Sequence, residues 1–206
     1  MNMFESRKPR FSPSCCDSIA RRLLAFVSLC GLLAAPVRTS ADEAPGLETQ
    51  VKAAFLLKLA AFVEWPATTN ADSPREFTIG ILGDDPFGNC LKEVACDQQI
   101  RGLPVRLLRG KEVAEMLDCN ILFVSPSETN RFDQVIEAVG ERPILTISDE
   151  HDFARSGGVM NFIIKEDGKV RFEVNLAAAG RAHLRLSAKL LQVANIVKAA
   201  PELTAR

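Results

Sequence analysis

Tyrosine is absent from this 206-residue chain, tryptophan occurs once, at Trp65, and histidine only twice. Few rings are therefore available to stack on bases. With Lys+Arg 25 against Asp+Glu 26, there is no bulk positive field to recruit a polyanion either. Both shortages argue against a nucleic-acid partner. No run of about 18 apolar residues occurs, so a conventional membrane-spanning helix is not expected.

The familiar catalytic and metal-binding signatures are missing too. The chain has no Cys-x-x-Cys pair, no His-Glu-x-x-His, no Gly-x-Ser-x-Gly elbow and no Walker lysine motif. The segment Gly83-Asp84-Asp85-Pro86-Phe87-Gly88 has two acids where a phosphate would need bare amides. Ser125, Asp149 and His151 can be drawn as a triad, but Ser and Asp are expected in loops beyond strand ends. Asp84 and Asp85 follow the first strand, where receiver domains keep metal-binding acids. The position that would be phosphorylated in such a domain is Ser125, followed by Pro126. An Asp capping the next helix is the simpler reading. No enzyme, metal or cofactor is expected.

What is present begins with the N-terminus. Arg7, Lys8, Arg10, Arg21 and Arg22 precede an apolar block over 23–35, which ends in Pro36 and the small residues Thr39-Ser40-Ala41. This is the plan of a secretory signal peptide. As a helix the block would rise only about 20 Å, short of the ~30 Å hydrocarbon core, so an anchor is disfavoured. Cleavage is placed before Asp42, giving a leader over 1–41 and a mature domain over 42–206. The mature chain keeps 19 bases and 24 acids, a net charge of -5, with Cys90, Cys96 and Cys119 as its cysteines.

Periodicity in the mature chain predicts a helix over 47–65, ended by Pro66. Apolar runs bounded by turn residues predict strands over 77–82, 103–108, 121–124 and 144–147. Helices are expected between them, over 86–97, 110–117 and 128–139, the last capped by Ser127. The runs over 159–164 and 170–174 read as a β-hairpin. Asn175 can cap a short helix, and a terminal helix is expected over 187–201. The fold class is α/β: a single domain with a mostly parallel sheet flanked by helices, plus a hairpin in the C-terminal half and a terminal helix.

Open α/β sheets bind ligands beyond the carboxyl ends of their strands. A possible ligand crevice there would gather Asp84, Asp85, Ser125, Ser127, Ser148 and Asp149. Topology also suggests a disulfide. If the first and third strands are neighbours, Cys96 at the end of one helix and Cys119 before the third strand share the starting edge of the sheet, leaving Cys90 as a free buried thiol. Such a bond would close a loop of about 23 residues and stabilise the fold by roughly 3 kcal/mol. Phe87 and Trp65-Pro66 are candidate interface anchors, with core packing the favoured role for each.

Six segments in order resemble one family: VKAAFLLKLAAFVEWP (51–66), FTIGILGDDPFG (77–88), CNILFVSPSE (119–128), ILTISDEHDFARSGGVMNF (144–162), VRFEVNLAAA (170–179) and LRLSAKLLQVANIV (184–197). They are similar to the YfiR family over about 150 residues. The resemblance implies a periplasmic, non-enzymatic, homodimeric and disulfide-stabilised regulator. It would bind the periplasmic part of an inner-membrane diguanylate cyclase or another membrane sensor, lower cyclic di-GMP, and be relieved by an outer-membrane lipoprotein. The family's two-disulfide framework cannot be met by three mature cysteines. The competing expectation is a small-molecule-binding module using the crevice.

Overall fold

A computed structural model describes residues 46–66, 75–164 and 169–198. The expected leader, residues 1–41, and the hairpin turn at Gly168 lie outside the described residues. In chain order the elements are α1 (Leu47–Leu59), a 3₁₀ turn (Ala60–Phe62), β1 (Val63–Glu64), β2 (Phe77–Leu82), α2 (Asn89–Ala95), β3 (Gln99–Ile100) and β4 (Leu103–Gly110). A 3₁₀ turn (Val113–Met116), β5 (Ile121–Val124), a second such turn (Pro126–Arg131), α3 (Phe132–Val139) and β6 (Leu145–Ser148) follow. The C-terminal part holds β7 (Met160–Ile164), β8 (Val170–Asn175), α4 (Leu176–Arg181), β9 (Arg185–Leu186), α5 (Ala188–Val193) and β10 (Ala194–Val197).

The main sheet runs β10-β8-β7-β6-β5-β2-β4-β3. Pairing is parallel from β4 across β2, β5 and β6 to β7, then antiparallel in the β7–β8 hairpin. The first expected strand does lie between the second and the third, as β4-β2-β5. Chain order reverses there, so a crevice between β2 and β5 is where the topology opens.

Alternation along the strands sends successive side chains to opposite faces. Phe77, Ile79, Ile81, Ile121, Phe123, Leu145 and Ile147 join the core beneath α1, α2, α4 and α5. Leu82, Leu122 and Val124 join a second core with Phe132, Val135, Val139, Met116 and Phe153. Strands buried on both sides must be apolar throughout, which is why β5 reads Ile-Leu-Phe-Val without interruption.

The structure departs from expectation at several ends, each for a local reason. The first helix stops at Leu59 instead of reaching Trp65, because Val63 turns extended and pairs with Leu186. A residue before proline is disfavoured in the helical region, which stops Trp65 continuing the helix. Helix α2 starts at Asn89, not at Pro86: the Phe87 amide donates to Asp85 Oδ1 at 2.7 Å, closing a turn, and Gly88 takes φ 52°. Ser125, not Ser127, caps the segment after β5, with Pro126 as the first residue of the turn. Asn175 caps α4 as expected, its Oδ1 accepting from the Ala178 amide at 3.0 Å. The terminal helix is the main correction. It covers only Ala188–Val193, after which Ala194–Val197 leaves the helix to pair in parallel with β8.

Gly158 is the tightest point in this packing. A Cβ there would stand 2.2 Å from a ring carbon of Phe153, whose side chain is fully buried and stacked edge-on against Phe132. Gly158→Ala should therefore destabilise the domain by about 1–3 kcal/mol through forced repacking. A shift of the urea midpoint to lower concentration at unchanged slope checks this; an unchanged midpoint contradicts it.

Candidate functional site

At the carboxyl ends of the strands, β2 runs into Gly83 at φ 91°, and a Cβ there would lie 2.4 Å from Ser127 Oγ. Only glycine lets the two loops approach this closely. The Asp84 amide then donates to Ser127 Oγ at 3.0 Å, and the Ser127 hydroxyl donates to Glu128 at 3.3 Å. Arg131 clamps Glu128 and also donates to the Lys111 carbonyl. Lys111 reaches Asp84 at 3.3 Å, and Arg109 holds Asp85 at 2.6 Å while donating to the Gly88 carbonyl.

Asp84 and Ser127 thus share one network, and Asp85 turns to Arg109. Ser125 is buried as a cap. Ser148 is fully buried, accepting from the Glu150 amide at 3.1 Å. Asp149 is drawn to the other face. Its Oδ2 accepts from Lys52 of α1 at 2.9 Å, while Lys52 also reaches Glu48 at 2.6 Å. The six residues stand at one end of the sheet, but their polar groups engage one another and neighbouring cations. His151 pairs with Asp152 at 3.1 Å and is exposed, so it does not join Ser125 and Asp149.

Lys52 was not singled out from the sequence, although a lysine beside Ala53 on the buried side of an apolar helix is a signal. It is 8% exposed. Burial opposes its charge, but the hydrogen bonds and attraction of Glu48 and Asp149 outweigh that and hold its pKa above the ordinary 10.5. The other Asp149 oxygen, Oδ1, is buried without a partner.

Hollows open at the opposite, starting edge of the sheet. One, of about 570 Å³, lies between Glu64-Trp65-Pro66 and Gly180, His183, Leu184 and Arg185. Another, of about 550 Å³, runs from Trp65-Pro66 past Arg75 and Asn120 to Arg142-Pro143. Trp65 lies between them, half-buried, packed edge-on against Phe77 at 5.4 Å and donating to the Asn120 carbonyl at 3.3 Å. Asn120 also went unnoticed. Its Oδ1 accepts from the Thr78 amide at 2.9 Å and its carbonyl accepts from the Leu145 amide, so it ties β2, β6 and Trp65 together. A polar residue immediately before an apolar strand was the available sign. Phe87, by contrast, is core: 2% exposed and edge-on to Phe123.

The expected Cys96–Cys119 bond is absent, and Cys90, Cys96 and Cys119 are all free. The strand order behind the pairing holds; the face does not. Cys119 Sγ lies over Gly80 in the second core, whereas α2, which ends just before Cys96, packs its Cys90 and Leu91 into the first. Burial and the nearby Asp118 push the Cys119 thiol up to about 11, which favours its protonated form at neutral pH.

A model of the family described as YfiR/HmsC-like matches residues 49–195. The chain belongs to the YfiR/HmsC-like family. This family is one of periplasmic, non-catalytic regulators associated with membrane signalling partners. No curated protein matches the chain. Among solved structures, a conserved domain protein from Vibrio cholerae is similar at a TM-score of 0.50 and 10% identity, over 73% of this chain and 60% of that one. A Streptococcus pneumonia ABC domain in complex with L-Trp has a TM-score of 0.48 and 12% identity, over 73% and 60%. CD0873, a substrate binding protein with adhesive properties from Clostridium difficile, has a TM-score of 0.47 and 14% identity, over 62% and 56%. The chain spans no more than 60% of these proteins' lengths. The likeness to the Vibrio cholerae protein, at 10% identity, is one of fold alone.

In this YfiR/HmsC-like domain the Lys52 ion pair and the three thiols are each open to measurement. Because the folded pKa of Lys52 exceeds its unfolded value, its contribution to stability is complete below pH 10.5 and is lost as pH rises through the folded pKa. Lys52→Ala, which strands Asp149, should cost about 3 kcal/mol near neutral pH, and denaturant titrations should show the gap from wild type narrowing at alkaline pH. A pH-independent gap contradicts the ion-pair role. In thiol labelling of native protein, Cys96 should react quickly and Cys90 and Cys119 only on unfolding; a peptide linking Cys96 to Cys119 would overturn the face assignment.

Proposed function

We propose that residues 42–206, released by cleavage of the leader, act as a non-enzymatic periplasmic regulator. The domain binds the periplasmic part of an inner-membrane signalling protein, represses a diguanylate cyclase and so lowers cyclic di-GMP, with an outer-membrane lipoprotein as the relieving partner. The family match across residues 49–195 carries this reading. The carboxyl-end geometry is consistent with it. Asp84, Asp85 and Asp149 each face a cation from the same chain, which leaves a small-molecule site at those residues without a specific observation in its favour.

The test is genetic and chemical. Deleting the gene should raise cyclic di-GMP and promote surface attachment. Full-length chain should restore both, giving a periplasmic product that begins near Asp42, while chain lacking residues 1–41 should not. Unchanged cyclic di-GMP in a strain that demonstrably makes the protein would remove the cyclase assignment.

A further inference from the structure

Strand β4, eight residues long, is the longest strand among the described residues and stands beside one edge of the main sheet. Only β3 lies outside it, and β3 reaches no further than Leu103 and Pro104. The Gly110 carbonyl accepts from the Gly83 amide at 2.9 Å, so the backbone groups of Gly110 point inward to β2. Backbone groups of successive strand residues point to opposite sides. Arg106 and Leu108 therefore also face β2, while Val105, Leu107 and Arg109 turn their N–H and C=O groups outward. Among the described residues no strand meets the outer side of β4 beyond Pro104. The side chains of Val105 and Leu107 pack on the first core, which holds this edge in its extended form. Such an edge is a template for another strand.

The charges along it indicate which kind of strand. Residues 98–111, QQIRGLPVRLLRGK, hold Arg101, Arg106, Arg109 and Lys111 and no acid, in a mature domain of net charge -5. Arg109 is committed to Asp85 and the Gly88 carbonyl. The other three are more loosely held. Arg101 lies 6.0 Å over the Trp65 ring. Arg106 and Lys111 meet Glu76 and Asp84 at 3.4 and 3.3 Å, but all four side chains are about half exposed or more. Exposed pairs of this kind contribute little, so each base can turn to a carboxylate of another chain. Arg101, Arg106 and Lys111 mark the beginning, middle and end of an edge about 26 Å long. Two copies of this edge would set base against base, so the occupant is not a second β4. Strand β10, at the opposite edge, reads Ala-Asn-Ile-Val and offers no charge for such selection.

We propose that the outer edge of β4 docks an extended, acidic segment of the protein partner as an added strand. This rests on the reading of the domain as a protein-binding regulator and says through which chemistry the partner is held. Main-chain hydrogen bonds to Val105, Leu107 and Arg109 supply affinity, and Arg101, Arg106 and Lys111 select for carboxylates.

The test titrates mature protein, purified from cells expressing the full gene, with two twelve-residue peptides. One alternates threonine with glutamate and the other threonine with lysine, and amide hydrogen exchange is followed residue by residue. In the free domain the Arg106 and Leu108 amides should be protected, and those of Leu107 and Arg109 should exchange quickly. The glutamate peptide at saturation should slow Leu107 and Arg109 at least about tenfold, and the lysine peptide should not. Arg101→Glu combined with Arg106→Glu should weaken binding of the glutamate peptide at least about tenfold. Circular dichroism melts confirm that the double variant is folded. Protection of Leu107 and Arg109 in the free domain overturns the open edge. Equal binding of the two peptides, or binding of neither, overturns the acidic-strand assignment. Solubilised inner membranes separate this proposal from the wider reading. If wild type and the double variant retain the same membrane protein equally well, the edge assignment falls and the regulatory reading stands. If wild type retains none while the peptides behave as expected, the regulatory reading falls and the acidic-strand edge stands.

Discussion

A parallel sheet cannot leave a face bare, and the rest of this structure follows from that constraint. Strands β2, β5 and β6 are buried on both sides, so each face requires its own cover. On one side α3, a 3₁₀ turn and Phe153 supply it. On the other, α1 lies across the sheet and is held at separate points. Phe55 packs edge-on to Phe172 at 5.2 Å, and Lys52 reaches the end of β6 through Asp149. A lysine this deeply buried keeps its charge at such a place only because two carboxylates meet it. The pair therefore specifies where α1 sits as much as it stabilises it.

That placement divides the molecule by chemistry. The carboxyl ends of the strands, where ligand sites usually form in open α/β sheets, are occupied by internal ion pairs. Arg109, Lys111 and Arg131 engage Asp85, Asp84 and Glu128, and the serines cap turns or join the same network. The hollows are at the other edge, around Trp65. Among the described residues, large apolar side chains are exposed at Leu47 and Phe62, at Ile164 of β7 and Leu176 of α4, and at Val193 and Ile196, the last two 59% and 57% exposed. The acids at the carboxyl ends thus meet cations of the same chain, while the exposed apolar side chains lie elsewhere.

How much of this was legible in the chain depended on whether the signal was local. Phe77–Leu82 and Ile121–Val124 matched their expected bounds because continuous apolar runs between turn residues have one reading. Helical residues at the two ends of the domain misled. Val63 and Ala194–Val197 fit a helical period, but each finds a strand partner distant in sequence, Leu186 for the one and β8 for the other, and tertiary pairing prevails over local preference. The crevice residues stand at one end of the sheet, but their bonding was not foreseeable, since the pattern does not say that α1, with Lys52, and the end of β4, with Arg109, lie against them. Cys119 shows the same limit. Strand adjacency was inferred correctly, but the face of the sheet on which its sulfur lies was not. Asn120 and Lys52 carried signals that pattern reading passes over: a polar residue opening an apolar strand, and a cation on the buried side of a helix.

The proposed role requires this domain to hold a membrane protein instead of turning over or capturing a small molecule. Affinity capture of the tagged mature domain from detergent-solubilised inner membranes tests it most directly. Retention of an integral signalling protein with a periplasmic part is expected, with release of that protein when untagged mature domain is added in excess. Recovery of no membrane protein, together with a small metabolite bound stoichiometrically to the domain, would contradict it.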